Sequence, residues 1–263
     1  MLSSLTSELT KLRRRGIVAA LGLIVFLISF GTVLSIVTAT TSGSSSRGPG
    51  GGLSLSALAN ADGLARAVSG GSAIVGAAIL AVACFSFASE YSLGTLRNLL
   101  VRQPRRLTLF AGKLAATLLV LASAVIVGVL IASIAGVVAA DARSSSTSAW
   151  FGASGVSALL KATAELAGAS LGWATLGAAL GVTLRSPTIA IASCLAYVLP
   201  VENLLTAAWS SGREWLPGQL LSALADGGTS TVSGGHAAIL LSLYMALALV
   251  GSALLIRLRD VGA

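Results

Sequence analysis

A hydroxyl nucleophile needs a base within hydrogen-bond reach. One set of residue types here could supply both: Ser154 in the run Gly152-Ala153-Ser154-Gly155, and His236, the single histidine. The other candidates are charges and thiols in apolar surroundings. Lys161 and Glu165 stand four apart, a spacing that lets them pair on one helix face, and Glu202, with Asn203 beside it, follows Pro200. Cys84 and Cys194 both fall in apolar runs, where a thiol reads as a small packing side chain. Two such residues give no metal cluster or disulfide framework. A phosphate-cradling loop is missing, because Gly112-Lys113 is followed by Leu114 and the place of the upstream glycine is held by Leu107. No His-Glu-x-x-His, paired-carboxylate site or Cys/His metal spacing occurs. These residues point away from enzyme chemistry: the expectation is no catalytic, cofactor-binding or metal residue in this chain.

The elements that must position these residues follow from the solvent. Hydrophobic residues make up 55% of the 263, charged residues 10%, and the mean hydropathy is +0.92. A water-soluble domain carries about 25% charge, so this chain cannot cover itself in water. A membrane-crossing helix needs about 20 mostly apolar residues. Six segments qualify: 17–38, 71–88, 107–138, 156–184, 188–208 and 237–256. The expected fold is an all-α membrane protein with six transmembrane helices in one transmembrane domain over 1–263. The third and fourth segments are longer than a span requires and should tilt or project.

The cations orient the chain. Six spans place Lys11, Arg13, Arg14, Arg15, Arg97, Arg102, Arg105, Arg106, Lys113, Arg185, Arg257 and Arg259 on one side, twelve of the 17 Lys and Arg. Arg47, Arg66, Arg143 and Arg213 fall on the other, and Lys161 lies near a helix end. Cytoplasmic loops carry the excess of Lys and Arg, so both termini are expected in the cytoplasm. The net charge of +8 is then a topology signal, and nucleic acid is not needed as a partner. The first apolar run exceeds the 7 to 15 residues of a signal peptide core and reads as an uncleaved anchor. Ahead of it, Leu2, Leu5, Leu9 and Leu12 recur at helical spacing, which predicts a short interfacial helix over 1–15.

Between the spans, 41–52 and 144–155 are Ser- and Gly-rich and read as flexible connectors. Residues 209–236 hold Trp209, Trp215 and a Pro217-Gly218 turn, after which Leu220, Leu221 and Leu224 allow a brief amphipathic helix that dips toward the membrane edge. Pro200 predicts a kink in the fifth segment that turns the chain toward a re-entrant stretch. Gly168 with Gly172 and Gly177 with Gly181 form two Gly-x-x-x-Gly pairs that let helices approach closely, within the chain or across a dimer.

The connection between the second and third segments, 90–113, holds five basic residues. Glu90 ends a span, Gly94-Thr95 makes a turn in which Thr95 can cap a helix, and Leu96, Leu99 and Leu100 give that helix an apolar face. Pro104 suits the first turn of the next helix, Arg105-Arg106 sit at headgroup level, and Lys113 can snorkel back to the same surface. The local picture is a short helix lying flat beneath the membrane.

At Glu90, Gly94, Thr95, Leu96, Arg97, Pro104, Arg105, Arg106, Gly112 and Lys113 the chain resembles the type-2 ABC exporter permeases, the family with the ABC-2-type transmembrane domain. The resemblance implies a membrane-spanning permease subunit of an ATP-driven exporter, located in the bacterial cell (inner) membrane. It implies a pathway formed by a second permease subunit as homodimer or homologous heterodimer, and ATP and Mg bound on a separate ATP-binding cassette subunit, with no cofactor on this chain. The segment 90–106 would be the coupling segment, with Glu90, Leu93, Gly94, Thr95, Leu96, Arg97, Leu99, Leu100, Arg102 and Gln103 facing the ATPase. Glu202 and Asn203 would be candidates for the pathway.

Two alternatives belong to other classes. Gly152-Ala153-Ser154-Gly155 before the fourth segment and His236 before the sixth resemble the rhomboid intramembrane proteases. Ala-Ala-Ile follows His236, without the glycine expected beside the base, and no oxyanion His/Asn pair occurs in the second segment. The other alternative is a non-transporting membrane subunit.

Overall fold

The computed structural model of the chain describes residues 15–39, 53–92, 106–229 and 231–258. These fold into helices, and among the described residues there is no strand; Gly228 and Ser233 form an isolated bridge. Among the described residues, five helices are long and apolar enough to cross a membrane. They are α1 (Arg15–Val37), α4 (Ser72–Ser92), α5 (Arg106–Ala142), α6 (Ala153–Leu184) and α10 (Gly234–Leu258). This is the architecture of a multi-pass membrane protein. At 37 residues α5 runs about 55 Å, longer than the roughly 30 Å of hydrocarbon.

The expected fifth span is interrupted. Its residues form α7 (Pro187–Ala196), a π-helical turn (Tyr197–Val201) that contains Pro200, and α8 (Glu202–Ala208), 22 residues in all. The physical cause is the one the sequence offered. Pro200 has no N–H to donate to the helix ladder and its ring crowds the preceding turn, and a π-turn is how a helix absorbs such a defect. A 3₁₀ turn (Ser210–Glu214) and α9 (Pro217–Ala225) follow before α10 begins.

The centre of the fold is α6, which packs against α3 (Gly63–Ser69), α4, α5, α7, α9 and α10. Its inward face is built from small residues, among them Ala162, Ala169, Gly172, Ala174, Gly177, Ala178 and Gly181. A Cβ added at Gly177 would stand 2.5 Å from the Leu80 carbonyl oxygen, and one at Gly181 2.6 Å from the Cys84 carbonyl oxygen. The Gly177/Gly181 pair is therefore the α6–α4 contact within one chain. Gly172 faces Leu221 of α9, while a Cβ at Gly168 would meet only Leu224, at 4.0 Å. The second long pairing is α1 with α5.

Two connections are more ordered than their composition suggests. Leu55–Leu58 forms α2, capped by Ser54, whose hydroxyl accepts the Ala57 N–H at 3.1 Å. The α3 turn that follows is almost wholly buried against α1, α5 and α6. The expected loose connector 144–155 instead contains a 3₁₀ turn (Ser148–Phe151) whose Trp150 is buried and donates its indole N–H to the Leu58 carbonyl at 2.9 Å. An indole that can fill a core and satisfy its N–H overrides a Ser-rich neighbourhood.

Candidate functional site

Polar side chains collect at both ends of the bundle. At one end α4 finishes, α5 begins and α6 finishes. Here Lys113 of α5 reaches across to α4, with its ammonium 2.6 Å from Glu90 Oε1 and 2.7 Å from the Ser86 carbonyl oxygen, to which it donates. It also lies 4.8 Å from the centre of the Phe87 ring. The Lys113 side chain is only 10% exposed and that of Glu90 19%. Lys113 thus does not snorkel outward: carboxylate, carbonyl and ring face offer its charge three partners beneath the surface. Phe87 packs edge-on against Phe110 and joins Leu114, Ala178 and Val182 in a small apolar cluster with Tyr91 at its margin.

The third element at this end is the two-residue turn between α6 and α7. Arg185 closes α6 with φ of 55°, donating its N–H to the Gly181 carbonyl at 3.2 Å. Its guanidinium lies over the Tyr91 ring, 5.3 Å from the centre. A non-glycine residue in the left-handed region is strained, and stacking on Tyr91 offsets part of that cost. Glu90, Tyr91, Lys113 and Arg185 therefore bind three helix ends into one platform, from which residues 93–105 depart and return.

Of the ten candidate coupling residues, Glu90 alone is among the described ones. Leu93, Gly94, Thr95, Leu96, Arg97, Leu99, Leu100, Arg102 and Gln103 lie outside the described residues, as do residues 1–14 of the expected interfacial helix over 1–15.

The pathway candidates separate. Glu202 is fully buried, and its Oε1 accepts the Gly218 N–H at 3.0 Å. The carboxylate thus caps the first turn of α9, where orphan backbone donors and the helix dipole favour a negative charge. A Cβ on Gly218 would overlap the Glu202 carboxylate, so this position requires glycine for the approach. Asn203, the next residue, is exposed. Glu202 ties the interrupted helix to α9. On α9, Leu220 and Leu221 are wholly buried and Gly218 gives the carboxylate its room, so the leucine face packs inward on protein and does not dip toward the membrane edge as expected.

At the opposite end, Asp226 follows α9 and accepts the Ser72 hydroxyl at 3.1 Å. The residue keeps an exposed face, yet burial of its carboxylate, with a smaller contribution from the nearby Glu165 charge, pushes its pKa up to about 6 against the pull of the Ser72 hydrogen bond. Lys161 and Glu165 pair at 3.8 Å as their spacing suggested. Gly227, at φ of 73°, lies against the Glu165 carboxylate. Ser154 and His236 are both exposed, and no hydrogen bond joins them among the described residues; the backbone N–H of His236 donates to the Ser233 hydroxyl at 3.3 Å.

Residues 57–262 match the model of a family described as a protein of unknown function, DUF2705. The chain belongs to this family. The match runs from α2 to the end of α10, so both the platform and the Glu202 cap lie within the DUF2705 region. Among curated proteins none matches the chain.

Among the contacts that sequence reasoning missed are Lys113 with Glu90, Glu202 with Gly218, and Trp150 with Leu58. Each joins residues on different elements. Only Lys113 and Glu90 carried a signal, since opposite charges at the two ends of one connection invite pairing.

Proposed function

We propose that this chain is the permease subunit of an ATP-driven exporter of the type-2 ABC class, a multi-pass protein of the bacterial inner membrane with both termini in the cytoplasm. It pairs with a second permease subunit, as homodimer or homologous heterodimer, and couples to a separate ATP-binding subunit that holds ATP and Mg. In this reading α7, the π-turn and α8 together make the fifth crossing and bring the total to six: 22 helical residues extend about 33 Å. The interrupted geometry at Pro200 is tolerated because protein covers it on the Glu202 side.

The observation that carries the reading is the platform. The segment with the Glu90, Gly94-Thr95-Leu96-Arg97, Pro104-Arg105-Arg106 and Gly112-Lys113 pattern leaves and re-enters the bundle at a point where Glu90 and Lys113 are ion-paired and α6 is locked on by Arg185. A force applied to residues 93–105 would then reach α4, α5 and α6 together. A loop that merely connected two spans needs no such brace. The positive-inside excess places this end toward the cytoplasm.

The test is co-expression with an ATP-binding cassette subunit encoded beside this chain, followed by purification through a tag on the permease. Stoichiometric recovery of the ATPase, with hydrolysis that changes when the permease is present, supports the assignment. Recovery with hydrolysis indifferent to the permease and to any transported compound marks a non-transporting subunit. Failure of any such ATPase to bind overturns the assignment.

A further inference from the structure

We propose that Cys84 and Cys194 form a redox-sensitive modification site, which hydrogen peroxide converts into a disulfide tying α4 to α7. These are the two cysteines of the chain, 110 positions apart in sequence, and the fold brings them face to face. The Cys194 thiol points at Cys84 with the sulfurs 3.9 Å apart. A disulfide bond is about 2.0 Å long, so the sulfurs must close by roughly 1.9 Å, within the reach of side-chain rotation and a small helix adjustment.

The two sides differ in stiffness. On α4 the Cys84 backbone is pressed against Gly177 and Gly181 of α6, so that even a methyl group there would collide with it. On the other side α7 is ten residues long and ends in the π-turn, so it can supply the movement. Both thiols are buried, Cys84 at 0% and Cys194 at 2% exposure. That enclosure selects the oxidant: peroxide is small and uncharged, whereas glutathione disulfide is bulky and ionic. It also selects the product. A zinc ion on two thiolates would need further ligands, and among the described residues no three His, Cys, Asp or Glu side chains gather to supply them.

The chemistry balances in two steps. One sulfur attacks a peroxide oxygen; the S–O bond forms, the O–O bond breaks, and the departing oxygen leaves as water with the thiol proton, giving a sulfenic acid. The second sulfur attacks the first; the S–S bond forms, the S–O bond breaks, and the hydroxyl leaves as water with the second thiol proton. The two sulfurs together lose two electrons, and the peroxide gains them. The product fixes α7, and with it the π-turn and Glu202, against α4. This inference stands on the thiol geometry and is independent of the transport reading.

The experiment uses the full chain in lipid nanodiscs. It is treated with hydrogen peroxide, quenched, denatured and alkylated with N-ethylmaleimide, then analysed by intact mass and peptide mapping. The expected result is loss of alkylation at both cysteines, recovery of a Cys84–Cys194 linked peptide within one chain, and return of both alkylations after a phosphine reductant. C84S and C194S give no linked peptide. Glutathione disulfide over the same time leaves both thiols free to alkylate. Thiols that stay alkylatable after peroxide, sulfinic acid at either position without a link, or links only between chains overturn the proposal. So does cross-linking by glutathione disulfide as fast as by peroxide, because burial would then not control access.

Discussion

Lys113→Met is the most informative single perturbation of the platform. The substitution keeps the apolar stem of the side chain but removes three interactions: the 2.6 Å pair with Glu90, the 2.7 Å hydrogen bond donated to the Ser86 carbonyl, and the contact with the Phe87 ring. It also leaves Glu90, 19% exposed, without this countercharge. Breaking a buried pair from one side costs about 3–5 kcal/mol, and we expect about 3–4 kcal/mol here because Glu90 retains some access to water. Glu90→Gln should cost less, about 1–2 kcal/mol, since the ammonium keeps the Ser86 carbonyl and the Phe87 face. In the double variant no orphaned charge remains, so the loss should fall short of the sum by about 1–2 kcal/mol. The assay is a double-mutant cycle of unfolding in mixed micelles, titrated with sodium dodecyl sulfate and followed by tryptophan fluorescence. Additivity within about 0.5 kcal/mol, or a Lys113→Met protein as stable as the parent, would refute the platform as a coupled unit.

Three other expectations follow from particular contacts. Gly177→Ala and Gly181→Ala should each destabilise by about 1–3 kcal/mol, because the new methyl meets backbone oxygen at 2.5 and 2.6 Å, whereas Gly168→Ala should be neutral or stabilising; unfolding midpoints that rank the other way would dismiss the α6–α4 packing. Gly218→Ala should destabilise by displacing the Glu202 carboxylate, and combining it with Glu202→Ala should cost less than the two changes summed, read in the same unfolding assay. Asp226 binds its proton more tightly in the folded chain than in the unfolded one, with a pKa near 6 against 3.8, so its contribution to stability is lost as pH rises from about 4 to about 6. Asp226→Asn should flatten that part of the stability curve, and an unchanged slope in melting experiments across those pH values would count against the cause given for the shift.

The sequence located the long helices to within a few residues because about 20 apolar residues in a row have one cheap arrangement in a bilayer. The break at Pro200 was legible too, since a missing N–H is a local property. So was the face of α9, from the spacing of Leu220, Leu221 and Leu224. What escaped is non-local. The α3 turn holds Arg66 and follows Asn60 and Asp62, so nothing in its composition announces that α1, α5 and α6 enclose it. A Ser-rich run reads as loose until one sees Trp150 in the core with its indole bonded to Leu58. Two cysteines 110 positions apart carry no mark of meeting. Lys113 reads as a snorkelling anchor, and only the neighbouring helix, with Glu90 on it, shows it to be a buried partner.

The central claim concerns residues 93–105 and the ATPase. Leu96, Arg97 and Leu99 are replaced together, by Ser, Glu and Ser, in the chain co-expressed with the proposed ATP-binding subunit, and the amount of ATPase recovered per chain is measured alongside the stability of the chain. The account predicts that ATPase recovery falls at least tenfold while the chain unfolds at its parental midpoint. Undiminished recovery of the ATPase with the triple substitution in place would contradict it.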